Sequence, residues 1–262
     1  METILDRIIA EKQKEVLILK EQPVLKEVDR KHVSFIQKLQ QAEEVKIIAE
    51  FKRASPSKGP INLECDPSEQ TLQYVQAGAD AVSVLTDRTF FKGDFRDLEE
   101  VRKTITAPIL CKDFIIDPIQ IDYAKHAGAN LILLIAAALD LETLHSLYHY
   151  ATSKGLEVLM EVHNEAELEK VLTTENVLIG VNNRNLKTFE VDLATTERLA
   201  SKIIQSNRYL ISESGIATTE DVRRVVEAGA SGILVGETFM RHEKPEEALR
   251  SMKLPLRRVA SN

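Results

Sequence analysis

Three stretches of the chain repeat one pattern: QAGADAVSVL (76–85), HAGANLILLI (126–135) and EAGASGILVG (227–236). Each ends a polar, helix-like segment on Ala-Gly-Ala and then enters an apolar, β-rich run. Glycine supplies the left-handed conformation that ends a helix. The apolar run that follows reads as a strand buried on both faces. The starts lie 50 and 101 residues apart. If one strand-plus-helix unit takes about 25 residues, those gaps hold two and four units.

Filling the gaps predicts eight strands, over 45–51, 81–86, 109–113, 131–135, 156–162, 177–182, 208–212 and 232–235. Between them, apolar positions spaced three or four apart predict helices over 68–77, 95–104, 118–127, 140–153, 165–172, 193–204 and 218–228. Asp117-Pro118, Asn164 and Thr218 are suitable helix starts. The alternation predicts an α/β fold, a (β/α)8 TIM barrel with an N-terminal helical extension. A doubly wound sheet is the competitor; polar residues at the carboxyl ends of most strands favour the barrel. Residues 1–44 precede the first strand. Ile4, Leu5, Ile8, Ile9 and Val16 form one helical face and Phe35, Ile36 and Leu39 a second, expected as a pair of helices closing one end of the barrel. Nothing resembles a linker, so residues 1–262 are expected to form a single domain, of which 1–44 is the extension. The tail KLPLRRVASN, after Met252, is expected to fray.

The composition is that of an ordinary globular chain: 262 residues, 44% hydrophobic and 29% charged. This argues against collagen-like, low-complexity and wholly disordered sequences. A net charge of -7, from 34 Lys+Arg against 41 Asp+Glu, makes a poor nucleic-acid binder. The N-terminus carries Glu2 and Asp6 and has no uninterrupted apolar core, so it does not read as a signal peptide. The longest apolar run, 131–139, falls well short of the ~20 residues that span a bilayer. Cys65 and Cys111 offer neither a metal spacing nor a disulfide framework, which suits the reducing cytoplasm.

Ligands of such barrels bind at the carboxyl ends of the strands. With period-two alternation, Ile48, Glu50 and Lys52 share one face at the end of the first strand. Leu110, Lys112 and Phe114 do so at the third. Glu161 ends the fifth strand, Asn182 and Arg184 the sixth, and Glu213 the seventh. For any one of these a solvated loop position is the ordinary explanation. Five strands delivering ionisable residues to one rim define a functional mouth, since a charge inside a barrel is costly unless paired or used. Opposite charges 4 Å apart attract by ~4 kcal/mol at an effective dielectric of about 20, enough to hold such a cluster with each member meeting two neighbours. Lys beside Lys is expected to lose basicity, and Glu beside Glu to gain it, which would make a lysine a proton donor near neutral pH.

Ser214-Gly215 after the seventh strand and Gly236-Glu237 after the eighth occupy the loops that bind phosphate in many barrels. The loop 53–59 after the first strand, with Ser55 and Pro56, adds cations and hydroxyls. No Walker-type loop or GxGxxG motif supports nucleotide binding. The histidines at 32, 126, 145, 149, 163 and 242 are scattered. His145 and His149 lack a third metal ligand, and His163 reads as a loop residue beside the rim. Cys111 alternates with Lys112 and should face the helices as a buried thiol. No metal and no cofactor is expected.

The segments IIAEFKRASPSKGPI, PILCKDFIIDPIQI, LMEVHNEAELEK, IGVNNRNL and ISESGI, followed by GILVGETFM, resemble the indole-3-glycerol phosphate synthase family, as does the N-terminal ILDRIIAEKQKEV. The resemblance runs from about Ile4 to Met240, with the motifs in family order. It implies ring closure of 1-(2-carboxyphenylamino)-1-deoxyribulose 5-phosphate, with loss of CO2 and water, to indole-3-glycerol phosphate in tryptophan biosynthesis. It implies Lys112 as general acid on the ribulose carbonyl, Glu161 as base, and Lys52 with Glu50 as a second polar pair assisting dehydration. Asn182, Arg184 and Glu213 would position the substrate's polar groups. Ser55, Ser214, Gly215, Gly236 and Glu237 fall in the phosphate site; some family members carry Ser in place of Glu237. Phe91, Phe114, Pro56 and Leu186 match the apolar wall around the aromatic ring. The partner implied is this small phosphosugar-anthranilate molecule, with no nucleic acid and no membrane, bound by a cytoplasmic monomer. Other phosphosugar isomerase barrels and a non-catalytic phosphosugar-binding barrel are the alternatives; six charged residues at the rim argue against the latter.

Overall fold

The computed structural model describes residues 3–22 and 33–256. His32 and the end of the tail, 257–262, lie outside the described residues. Eight parallel strands close into a barrel: β1 (Lys46–Phe51), β2 (Ala81–Leu85), β3 (Ile109–Lys112), β4 (Leu131–Ile135), β5 (Glu157–Val162), β6 (Leu178–Asn182), β7 (Tyr209–Glu213) and β8 (Gly232–Val235). Each pairs with its sequence neighbours, and β8 closes onto β1 with Ile47 opposite Ile233. The seventh strand runs one residue past its expected end, to Glu213.

The Ala-Gly-Ala repeat sets the connection from helix to strand. Gly78, Gly128 and Gly229 sit at φ 107°, 108° and 112°, as the end of a helix requires. The next alanine in each repeat donates back into the helix: Ala79 to Tyr74, Ala129 to Ala124 and Ala230 to Val225, at 2.9–3.0 Å. The residue after that donates to the neighbouring strand: Asp80 to Ile47, Asn130 to Ile109 and Ser231 to Leu210, each at 2.9 Å. One tripeptide thus ends the helix and starts the parallel ladder in register.

Besides the single turn Arg88–Phe91, the helices among the described residues are α1 (Ile4–Lys20), α2 (Phe35–Gln40), α3 (Pro67–Gln76), α4 (Phe95–Thr104), α5 (Pro118–Ala127), α6 (Leu141–Ser153), α7 (Glu165–Leu172), α8 (Ala194–Gln205), α9 (Thr219–Ala228), α10 (Glu237–Arg241) and α11 (Pro245–Ser251). The predicted starts hold: the side chains of Asp117, Asn164 and Thr218 accept backbone N–H bonds from the first turns of α5, α7 and α9. Outward strand residues such as Ile47, Val82 and Cys111 pack against the helices, whereas Ile48, Ala81, Leu110, Leu131, Leu159, Leu178, Ile211 and Leu234 fill the barrel. Burial pushes the Cys111 thiol up to about 12, in keeping with a structural thiol. Among the described residues no helix is long and apolar enough to cross a membrane.

The two extension helices close opposite ends, which corrects the expectation that both close one. Phe35 and Leu39 of α2 plug the dry floor of the barrel, and the N–H groups of Phe35 and Ile36 donate to Glu157 at the foot of β5. Helix α1 instead lies over the mouth. Its Lys12 is buried against Asp87 (3.0 Å), after β2, and Asp113 (2.8 Å), after β3. Charge decides the division: a lysine needs the carboxylates of the mouth, and an apolar pair suits the floor. The tail is also corrected as far as Leu256. Val45 N–H donates to Leu254 O at 2.8 Å and Leu256 N–H to Glu43 O at 2.9 Å, which ties the tail to the chain entering β1.

Candidate active site

Strand alternation delivers Glu50, Lys112, Glu161 and Glu213 to one layer above the apolar fill. Lys112 Nζ lies 3.4 Å from Glu50 Oε2 and 3.2 Å from Glu213 Oε2. Lys52 Nζ lies 2.6 Å from Glu50 Oε1. Glu50, Glu161 and Glu213 are each at most 3% exposed. Asn182 supports Glu161 with its side chain and accepts the Arg184 backbone N–H at 3.0 Å.

Two expectations about this cluster are corrected. Not every member meets two opposite charges: Lys52 pairs with Glu50, and the Arg184 guanidinium turns to the Phe189 carbonyl at 3.2 Å. Lys112 does not lose basicity. Burial works to lower it, but Glu213, Glu50 and Glu161 together outweigh burial and hold it above the ordinary lysine range. The sequence reading set Lys112 beside Lys52, whereas the fold sets it among carboxylates. The carboxylates then diverge. Burial would raise Glu50, but Lys52 and Lys112 hold it below its usual range. Burial, with Glu161 and Glu50 nearby, pushes Glu213 up to about 7 despite Lys112. The expected gain of Glu beside Glu thus appears at Glu213 alone, with burial as its first cause, whereas Glu50 and Glu161 are lowered by the cations they touch.

The remaining expected residues line the same cavity. The rings of Phe91 and Phe114 stand 5.9 Å apart, centroid to centroid, and with Pro56 and Leu186 form an apolar wall. Ser55, Ser214, Gly215, Gly236 and Glu237 line the same cavity. There Ser214 and Gly215 both take positive φ, 65° and 82°, folding the loop after β7 into a tight turn. Glu237 Oε1 lies 3.5 Å from Lys58 Nζ and 3.2 Å from Arg241 Nε, so its side chain faces cations at the rim. The cavity also uses residues outside the sequence assignment: Ile4, Leu5 and Ile8 from α1, Leu133 and Ile135 from β4, Ser57 and Phe189 from loops, and Thr238 from α10. The inward positions of Leu133 and Ile135 follow from the register of Leu131, and the α1 face was visible as an apolar stripe.

His163 was read as a loop residue. The structure places its Nε2 3.3 Å from Glu161 Oε1, in contact with the cluster. Lys12 has no part in the sequence assignment, although Ile8, Lys12 and Val16 are spaced four apart and all buried on α1. A lysine inside an apolar stripe was the available signal.

A closed eight-stranded barrel whose mouth gathers ammonium and carboxylate groups beside an aromatic wall has the architecture of the (β/α)8-barrel enzymes. A family profile described as indole-3-glycerol phosphate synthase matches residues 5–252. The chain is 51% identical over 257 residues to a protein of that name from Oceanobacillus iheyensis, covering 97% of this chain and 98% of the relative. It is 54% identical over 240 residues to proteins of that name from Bacillus cereus and Bacillus mycoides, covering 92% of this chain and 94% of each relative. The chain belongs to the indole-3-glycerol phosphate synthase family.

Proposed function

We propose that the chain converts 1-(2-carboxyphenylamino)-1-deoxyribulose 5-phosphate to indole-3-glycerol phosphate, with loss of CO2 and water, in tryptophan biosynthesis. The supporting observation is Lys112 suspended between Glu50 and Glu213 in a cavity lined both by apolar side chains and by the loops after β7 and β8. Phe91, Phe114, Pro56 and Leu186 bind the aromatic ring. Ser55, Ser214, Gly215, Gly236 and Glu237, the last through its backbone N–H, hold the phosphate, and Arg184 positions the substrate's other polar groups. Anchoring both ends brings the ring carbon that bears the carboxylate onto the ribulose carbonyl, a positioning task worth several kcal/mol.

As the carbon–carbon bond forms, negative charge develops on the carbonyl oxygen, and Lys112 stabilises it and delivers a proton. An ammonium held this firmly in its charged form is a strong electrostatic partner. It gives up its proton late, to an alkoxide of higher basicity. The C–CO2 bond then breaks and its electron pair restores the aromatic ring. Loss of the hydroxyl as water needs one proton delivered to that oxygen and one removed from the former C1 of the ribulose chain. Lys52, paired with Glu50, assists departure of the hydroxyl, and Glu161 takes the proton from carbon. Asn182 and Glu213 orient these groups. The chemistry is acid/base throughout and calls for no redox cofactor or metal.

The chain is read as a cytoplasmic monomer with one domain over 1–262, of which 1–44 is the helical extension. Helix α1 of the same chain supplies Ile4, Leu5 and Ile8 to the cavity, so no second copy is needed to complete it. Two free cysteines suit a reducing compartment. The test is to supply the carboxyphenylamino-deoxyribulose phosphate and follow indole fluorescence. Saturable turnover is expected; binding without product would end the reading.

A further inference from the structure

One titratable group touches the acid/base cluster without a part in the scheme above. His163 follows β5 and precedes α7, and its side chain is 11% exposed. Its Nε2 lies 3.3 Å from Glu161 Oε1 and its Nδ1 3.0 Å from Glu167 Oε2. Glu167 is itself fixed. Its carboxylate accepts the His163 backbone N–H at 2.8 Å and Asn164 Nδ2 at 2.6 Å. Its own N–H donates to Asn164 Oδ1, the cap of α7, at 3.0 Å. The imidazole is therefore clamped between one carboxylate of the barrel and one in the first turn of a helix.

Nδ1 is hydrogen-bonded to Glu167, while Nε2 approaches Glu161 without hydrogen-bond alignment; a carboxylate facing each nitrogen still favours the imidazolium. A neutral ring would turn a lone pair toward one of them. Lys112 is engaged by Glu50 and Glu213, so the cation in contact with Glu161 is His163.

We propose that His163 is a positioning residue for the reaction: held as a cation by Glu167, it keeps Glu161 ionised and aims its carboxylate into the cavity. This rests on the assignment of Glu161 as proton acceptor. The groups that bear on the clamp are Glu161 on β5, Glu167 on α7, Lys112 on β3, Asn182 on β6 and Glu213 on β7. Burial would lower His163, but Glu161 and Glu167 push it up to about 10. Burial would raise Glu161, but His163 first, then Lys112 and Asn182, hold it well below the usual carboxylate range. Glu161, buried at the barrel mouth, therefore needs its neighbouring cation to stay charged.

The experiment compares wild type with H163N and E167Q in two readouts. The first is the pH profile of kcat/KM for indole formation. Removing a contacting cation raises a carboxyl by about 1–3 pH units, so the acid limb of H163N should move up by that much. Activity should return above the new limb. E167Q should move the limb the same way by less, because it weakens the hold on the imidazolium without removing the ring. The second is the 15N resonance pattern of the His163 ring in the resting protein. It should show both nitrogens protonated at about pH 8, where a free histidine is neutral, and E167Q should bring its titration down. A fall in activity uniform across pH, with the limb in place, overturns the proposal, as does a neutral ring in wild type at that pH. If wild type forms no indole product, the proposed function fails, and the ring's protonation still decides whether the clamp exists. If H163N does not fold, E167Q at the helix start carries both readouts.

Discussion

Gly180 and Glu213 share one space: a Cβ placed on Gly180 of β6 would fall 2.0 Å from Glu213 Oε1. Gly180 is not among the residues with positive φ, so room and not backbone freedom requires glycine here. The same holds on the other side of the mouth, where a Cβ on Gly236 would lie 2.5 Å from Glu50 Oε1. Each carboxylate that holds Lys112 leans into the gap left by a glycine on a neighbouring segment, Gly180 within β6 and Gly236 just past β8. G180A should therefore push Glu213 off Lys112. A displacement of about 1 Å in such a site lowers turnover by roughly 10²-fold. The barrel should still form, with unchanged far-ultraviolet circular dichroism and a lowered melting temperature. Wild-type kinetics in G180A would show that the seat of Glu213 does not matter.

Lys112 is the group on which ring closure depends most directly. K112A removes the ammonium facing the developing oxyanion and should lower kcat/KM by at least ~3 kcal/mol of transition-state stabilisation, roughly 10²-fold or more. The expected phosphate residues Ser214, Gly215, Gly236 and Glu237 come from the segments after β7 and β8, whereas Lys112 comes from β3. Inorganic phosphate should therefore compete with substrate as well in K112A as in wild type. Steady-state indole fluorescence with and without phosphate separates the two effects. Near-normal turnover with phosphate competition intact would remove Lys112 from the role.

These residues were readable because period-two alternation fixes which strand residues face inward. Counting from Ile48 and Leu110 places Glu50 and Lys112 at the mouth without any coordinates. The protonation behaviour of Lys112 was not readable, because it depends on which strands lie next to one another around the ring. Three carboxylates reach it from β1, β5 and β7, which are distant in sequence. His163 was hidden for a similar reason: it lies past the last alternating residue of β5, and although the helix over 165–172 was legible, alternation does not say that a loop side chain turns back to Glu161. The extension was legible as two apolar helical faces, but a helical face does not say which end of a barrel it covers.

Glu213 predicts a pH-dependent exchange of stability for function. Its carboxyl is raised from the ordinary range to about 7 by burial and by neighbouring carboxylates. Relative to the unfolded chain, protonated Glu213 favours the fold at low pH, and that advantage is lost as pH rises through about 7. Above that point the fold carries a buried, strained charge. E213Q has no such charge at any pH. The variant's melting temperature should therefore exceed that of wild type by an amount that grows between about pH 6 and 8, while its activity falls. Scanning calorimetry across that interval is the check. A difference that shrinks with rising pH would reverse the assigned direction of the shift.

Lys12 gives the most severe prediction for stability. Its ammonium lies 2.6 Å from Glu15, 3.0 Å from Asp87 and 2.8 Å from Asp113, and Lys12 and Asp87 are wholly buried. Burial alone would lower Lys12, but Asp113 and Asp87 push it above the ordinary lysine range. Asp87 also caps the short helix Arg88–Phe91, accepting the Phe90 and Phe91 N–H groups at 2.6 and 3.1 Å. Asp113 accepts Thr86 Oγ1 at 2.6 Å and the Phe114 N–H at 2.8 Å. One cation thus fastens α1 to both segments that carry the aromatic wall. K12M strands two buried carboxylates, a change that typically destabilises by about 3–5 kcal/mol. That is a large share of the 5–15 kcal/mol that holds an average domain together. In the molecules that remain folded, α1 should loosen and withdraw Ile4, Leu5 and Ile8 from the cavity. KM should then rise more than kcat falls, because the catalytic cluster of Lys112 and its carboxylates is held from the strands. Urea denaturation and Michaelis kinetics on K12M test both halves. Unchanged stability, or a collapse of kcat at wild-type KM, would contradict a fastening role for this lysine.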